Sequence, residues 1–153
     1  MQPVWSKVAG ACALAFCLSG TALAGNGVVR IGVLNDQSGV FSDSTGNGST
    51  IAARMAAADF GGKAAGMPIE IIAADHQNRP DIGAGIARRW FDLDHVDAIA
   101  DLGNSAVALA VAEIARDKNK AVLISAGGTT ALTGKNCSPN TVQWTFDNWS
   151  LSN

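Results

Sequence analysis

Two stretches of this chain have residue types suited to holding a small molecule, Gly103-Asn104-Ser105 and Ala126-Gly127-Gly128-Thr129-Thr130. They offer hydroxyls, a carboxamide and unhindered backbone N–H groups, and neither offers a strong acid, base or thiol. The chemistry on offer is hydrogen bonding to a ligand. Asp75-His76 is the other pair that invites a chemical reading. Adjacent residues on an extended chain point to opposite sides, and His95 is the only other histidine. Metal sites need three or four convergent ligands, so no metal or catalytic role is expected here.

The two polar stretches are placed by what precedes them. Ala98 to Leu102 and Ala121 to Ser125 are short apolar runs flanked by turn residues, which predicts buried parallel strands. Between them Val107, Leu109, Val111, Ile114 and Ala115 give a helix with a broad apolar face, closed by Asp117 to Lys120. In such a βαβ unit, ligands sit beyond the carboxyl ends of the strands, where both polar stretches fall. Ser105 stands where the helix starts. It can cap that helix by accepting a backbone N–H two or three residues on. The same amino end, with free N–H groups and a positive dipole end, can also hold a carboxylate. The second polar loop beside it favours a shared pocket.

Earlier in the chain, Val28 to Leu34 predicts a first strand, followed by a loop from Asn35 to Gly48 dense in Gly, Ser, Asn and Asp. That loop contains neither GxGxxG nor GxxxxGK[ST], so the dinucleotide and P-loop readings lose their main support. Val40 and Phe41 stand within it, either tucked beneath the loop or, for Phe41, lining a cleft wall against an apolar part of a ligand. A helix is expected from about Ser49 to Phe60 with Ile51, Met55, Ala58 and Ala52 toward the sheet, stopped by Gly61-Gly62. Strand two follows at Ile69 to Ala74. A helix from Asp81 to Asp92 carries Ile82, Ile86, Trp90 and Phe91 on one side, with Arg88 and Arg89 toward solvent. An extended segment at Val142 to Phe146 is expected to lead out of the domain. The alternation predicts an α/β three-layer sandwich with a parallel sheet between helices.

With 48% hydrophobic and 16% charged residues over 153 positions, the chain can pack one globular core. A net charge of −2 gives no basic field for nucleic acid or an anionic membrane surface. The opening differs from the rest. Lys7 is its only charge, Val8 to Leu18 is apolar, and Ala22-Leu23-Ala24 is a small-x-small cleavage site. Residues 1–24 are therefore expected to be a secretory signal peptide cut after Ala24, because the apolar run falls short of the ~20 residues a spanning helix needs. Phe16 before Cys17 argues against lipidation. Cleavage would leave Cys137 alone, either as a tolerated buried thiol or with a partner outside this sequence.

The ordered segments VVRIGVLNDQSGVFSD, IEIIAADHQNRPD and VDAIADLGNSAVALAVAEIARDKNKAVLISAGGTTALTGKNCSPNTVQWTFD resemble the amino-terminal lobe of a periplasmic substrate-binding protein. The similarity is to the branched-chain amino acid (Leu/Ile/Val-binding) group that serves ABC transporters, and it covers residues 28–148. It implies an incomplete type I periplasmic-binding-protein fold. Residues 25–147 would form one lobe, and 148–153 would begin the crossover to a second lobe that closes over the ligand. It further implies that the loops after the third and fourth strands grip the ligand's charged groups through Asn104, Ser105, Ala126, Gly127 and Thr129, with Phe41 toward the ligand's side chain. Three positions depart from the family pattern. Gly127-Gly128 stand where alanines are common, which would loosen the loop, and Asn104 stands where some members carry Cys or Ser. The implied protein is a periplasmic monomer, not an enzyme, with no cofactor, that hands an amino acid or similar carboxylate to an ABC transporter permease. A sensory domain of the same fold is the alternative. An enzyme on such a sheet is disfavoured, since Ser125 lies in no GxSxG and no second histidine or carboxylate is placed to form a dyad.

Overall fold

The computed structural model describes residues 27–153, so the expected leader and its cleavage after Ala24 lie outside the described residues. Six strands form one sheet in the order β2-β3-β1-β4-β5-β6. β1 (Val29–Asn35) lies parallel between β3 (Met67–Asp75) and β4 (Ala98–Asp101), and β5 (Ala121–Ile124) continues the parallel set. These are the four strands the apolar runs predict. The short strand β2 (Lys63–Ala64) pairs antiparallel with the start of β3 and makes the sheet mixed at one edge. Ala65 and Gly66 cause this reversal. Both have positive φ (50° and 82°), as a two-residue hairpin turn requires. β6 (Thr141–Gln143) corrects another expectation. Instead of only leading out, the first part of the 142–146 segment joins the sheet parallel to β5.

Helices cover both faces, unequally. α3 (Pro80–Asp92) and α4 (Ser105–Asp117) pack on one face, where Leu34, Ile99 and Ile124 meet Trp90, Val107 and Val111 in the main core. Proline at the first position of α3 loses no hydrogen bond there, because a first-turn N–H has no intrahelical acceptor. Gly32 is required on this face. A Cβ on it would stand 2.4 Å from the Trp90 ring, so the bare backbone is what lets the indole lie on the sheet.

On the opposite face lie α1 (Ser42–Thr45) and α2 (Asn47–Asp59). The sequence predicts Ile51, Met55 and Ala58 toward the sheet, but Ile51 and Met55 are 55% and 60% exposed and Ala58 is exposed too. The stripe that faces the sheet is instead Ser49, Ala52, Ala53, Ala56 and Ala57. α2 is so uniformly apolar that periodicity marks no single face, and the small residues allow the closer approach. Between this stripe and Ile31, Ile71 and Leu123 runs an apolar groove of about 630 Å³. The chain ends in α5 (Asn148–Ser152), capped by Asp147, where the sequence suggests that a new helix begins. No helix among the described residues is long and apolar enough to cross a membrane.

Candidate functional site

The carboxyl ends of β1, β4 and β5 are neighbours, and each is followed by one of the loops carrying an expected ligand residue. β4 ends abruptly. Asp101 (φ 84°) and Leu102 (φ 59°) are consecutive non-glycine residues in the left-handed region, at about 1 to 3 kcal/mol each. Leu102 is fully buried in the core, and Gly103 and Asn104 then carry the chain into α4.

The amino end of α4 is capped by Asn104, not by Ser105. The Asn104 Oδ1 accepts from the N–H groups of Ala106 (2.8 Å) and Val107 (3.0 Å), while its Nδ2 donates to Asn78 Oδ1. Among the described residues the Asn104 oxygen is thus occupied and one of its two Nδ2 protons is left without a partner. Ser105 is freed by the same arrangement. It is the first helical residue, half-buried, and among the described residues neither its hydroxyl nor its N–H has a protein partner.

The loop after β5 rests on this helix end. A Cβ on Gly127 would stand 3.1 Å from the Leu102 carbonyl oxygen and 3.3 Å from the Ala108 methyl, so glycine lets the loop lie against the first turn of α4. Both glycine carbonyls are held from the far side. The Gln143 Nε2 donates to Gly127 O (2.6 Å) and the Asn148 N–H to Gly128 O (2.7 Å). The loop is therefore pinned, against the looseness that Gly127-Gly128 suggests in sequence. Among the described residues the N–H groups of Ala126, Gly127, Gly128 and Thr129 have no protein acceptor. The Thr129 Oγ1 accepts from Ala131 N–H (3.3 Å), which leaves its proton free to donate. Free N–H groups on one loop beside a helix amino end suit an anionic oxygen.

The third loop meets the loop after β4 through Thr45, whose side chain lies 2.8 to 3.2 Å from where a Cβ on Gly103 would stand. Asp36 folds this loop by accepting from the N–H groups of Gly39 (2.7 Å) and Phe41 (3.0 Å). Phe41 is 40% exposed and Val40 is 80% exposed, so neither is tucked beneath the loop.

Asp75 and His76 diverge as alternation requires. Burial draws the Asp75 carboxyl upward. The Ser38 hydroxyl and the Gln37 and Gln77 N–H groups outweigh that and hold it below the usual range. His76 is fully buried, its Nδ1 accepts from Asn78 N–H (3.0 Å), and its Nε2 has no partner. Burial pushes its pKa down against the opposing charges of Asp36, Asp75 and Asp101. No group of acidic, histidine or cysteine residues among those described could hold a metal ion. Cys137 is exposed, which excludes the buried-thiol alternative.

An open α/β sheet whose carboxyl edge presents small-residue loops against a helix amino end defines a class of small-molecule-binding lobes. The model of the periplasmic binding protein family matches residues 28–153, and the chain belongs to that family. Many solved structures resemble it. A periplasmic binding protein from Burkholderia mallei shares 42% identity at a TM-score of 0.77, over 79% of this chain and 32% of its own. A branched-chain amino acid ABC transporter periplasmic ligand-binding protein from Burkholderia xenovorans LB400 shares 41% at 0.75, over 78% and 32%. A solute-binding protein of an ABC transporter from Rhodopseudomonas palustris BisB5, solved with 3,4-dihydroxybenzoic acid, shares 27% at 0.70, over 79% and 32%. The chain thus spans about a third of the length of these proteins. No curated protein matches it.

Proposed function

We propose that this chain is the amino-terminal lobe of an extracytoplasmic solute receptor for an ABC transporter, with residues 25–147 as the lobe and 148–153 opening the crossover to a second. It grips the carboxylate of a small solute at the edge where β4 and β5 end. The observation that carries this reading is the set of unpartnered N–H groups at Ser105 and Ala126–Thr129, on two adjacent loops. The Ser105 and Thr129 hydroxyls complete the set, and the exposed Phe41 ring stands to cover the ligand's apolar part. Asn104 caps the helix through its oxygen and offers the ligand the second proton of its Nδ2. The group binds its solute without covalent chemistry, in the periplasm, as a monomer that presents it to the permease.

The names of the relatives support a carboxylate. One belongs to a branched-chain amino acid transporter and another holds an aromatic acid, and the two ligand classes share only that group. Calorimetric titration of the protein at its full length with amino acids and benzoate derivatives tests the reading. One class should bind, and Ser105→Ala or Thr129→Ala should weaken it roughly tenfold to a hundredfold, since a charge-assisted bond is worth about 1.5 to 3 kcal/mol. Binding with unchanged affinity in both variants would refute it.

A further inference from the structure

The Asp101 side chain lies on the unexpected face of the sheet. Strand alternation would send it to the α3/α4 face with Ile99, since Ala100 already faces the groove. The left-handed turn at Asp101 re-aims it, so that Ala100 and Asp101 both face the α2 side and Leu102 returns to the core. There its carboxylate meets residues of the two flanking strands. Oδ1 accepts from the Ser125 hydroxyl (2.7 Å), at the end of β5, and Oδ2 accepts from the Asn35 Nδ2 (3.2 Å), at the end of β1. Asn35 carries the connection onward, since its Nδ2 shares its two protons among Asp101 and the carbonyls of Thr45 and Gly46, where α1 gives way to α2. Those two carbonyls fix which end of the carboxamide is the donor.

From this geometry we infer that Asp101 is a positioning residue. Its buried carboxylate locks the ends of β1, β4 and β5 into one register and so sets the spacing of the three loops that follow them. The Ser125 hydroxyl and the Asn35 Nδ2 both donate to it, and a carboxylate accepts on both sides at once and with charge assistance. An asparagine at 101 keeps both partners only by turning its oxygen to Asn35 and its NH₂ to the Ser125 oxygen, and it then loses the charge assistance of both bonds. The strained backbone at 101 and 102 is retained because it delivers this carboxylate to the face where both partners lie. The effect on ligand binding rests on the function proposed above; the coupling of the loops does not.

Amide hydrogen exchange reads the coupling directly in Ser125→Ala, Ser125→Thr and Asp101→Asn. Three bonded amides report, one beside each loop: Gly46, Val107 and Asn148. Ser125→Ala and Asp101→Asn should each accelerate all three about tenfold, by losing a charge-assisted bond. Ser125→Thr keeps the hydroxyl and should exchange like the parent chain. Acceleration confined to the substituted residue's own loop, or equal loss in Ser125→Thr and Ser125→Ala, would overturn the inference. If Asp101→Asn does not fold, the Ser125 pair decides. Titrations with leucine and with benzoate, run beside Ser105→Ala, separate the two readings. If Ser105→Ala weakens binding while Ser125→Ala leaves binding and all three amides unchanged, the carboxylate site stands and the positioning role falls. If Ser105→Ala is neutral while Ser125→Ala loosens all three loops, the positioning role stands and the carboxylate site falls.

Discussion

The two faces of the sheet are finished to different degrees. On the α3/α4 side, Val96, Ile99, Leu102, Val107, Val111, Val122 and Ile124 are all fully buried. On the α2 side, an alanine stripe stands off the sheet across an apolar groove, Ile51 and Met55 face solvent, and Thr50 is the one buried residue of α2. The three loops at the carboxyl edge therefore stand on unequal support. The helix end at Ser105 and the loop at Gly127 rest on the well-packed side. The loop bearing Phe41 stands on the loosely packed side and is tied to the rest through Asn35, Asp101 and Thr45.

Substitution should expose this asymmetry most strongly in the core. Leu102→Ala should cost about 2 to 5 kcal/mol, and Met55→Ala no more than about 0.5 kcal/mol, as measured by urea unfolding. Equal costs would break the comparison. Gly32→Ala should destabilise by about 1 to 3 kcal/mol, because its methyl would collide with the Trp90 ring, and a neutral result would mean that the indole can shift. Asn104→Ala should cost about 1 kcal/mol through the lost cap, with Asn104→Ser or Asn104→Asp recovering most of it. The smallest effect is with pH. His76 is held below its ordinary pKa of 6.5 in the folded chain, so the unfolded chain binds the proton first. Stability should fall as pH drops below about 6.5 and level off beneath the folded value. Thermal melts of His76→Gln should lack that part of the slope, and an unchanged slope would show that another group is responsible.

The parallel strands were legible because each is a short apolar run ending in turn residues, and the lobe could be read from their order. What escaped sequence reading has physical causes. α2 has apolar residues around most of its circumference, so nothing in its periodicity separates Ala53 and Ala57, which meet the sheet, from Ile51 and Met55, which do not. The hairpin at Ala65-Gly66 depends on a left-handed alanine that residue type does not announce. The cap fell one residue early because Asn104 and Ser105 are both good capping residues and only backbone geometry chooses between them. Asp101 was invisible as a strut because strand alternation places it on the wrong face, and only its positive φ moves it. Asn78 and Asn35, which hold Asn104 and the first loop, are ordinary loop and strand-end polar residues until their partners are seen.

If the free N–H groups and the Ser105 hydroxyl receive a carboxylate, the full-length protein must distinguish its solute from the corresponding primary amide. Replacing the carboxylate by the neutral amide removes charge assistance and sets a donor against donors, so calorimetric titration should show at least a tenfold loss of affinity. In Ser105→Ala the difference between the two ligands should shrink. Equal affinity for acid and amide, in the parent protein and in Ser105→Ala alike, would rule out a carboxylate site at this edge.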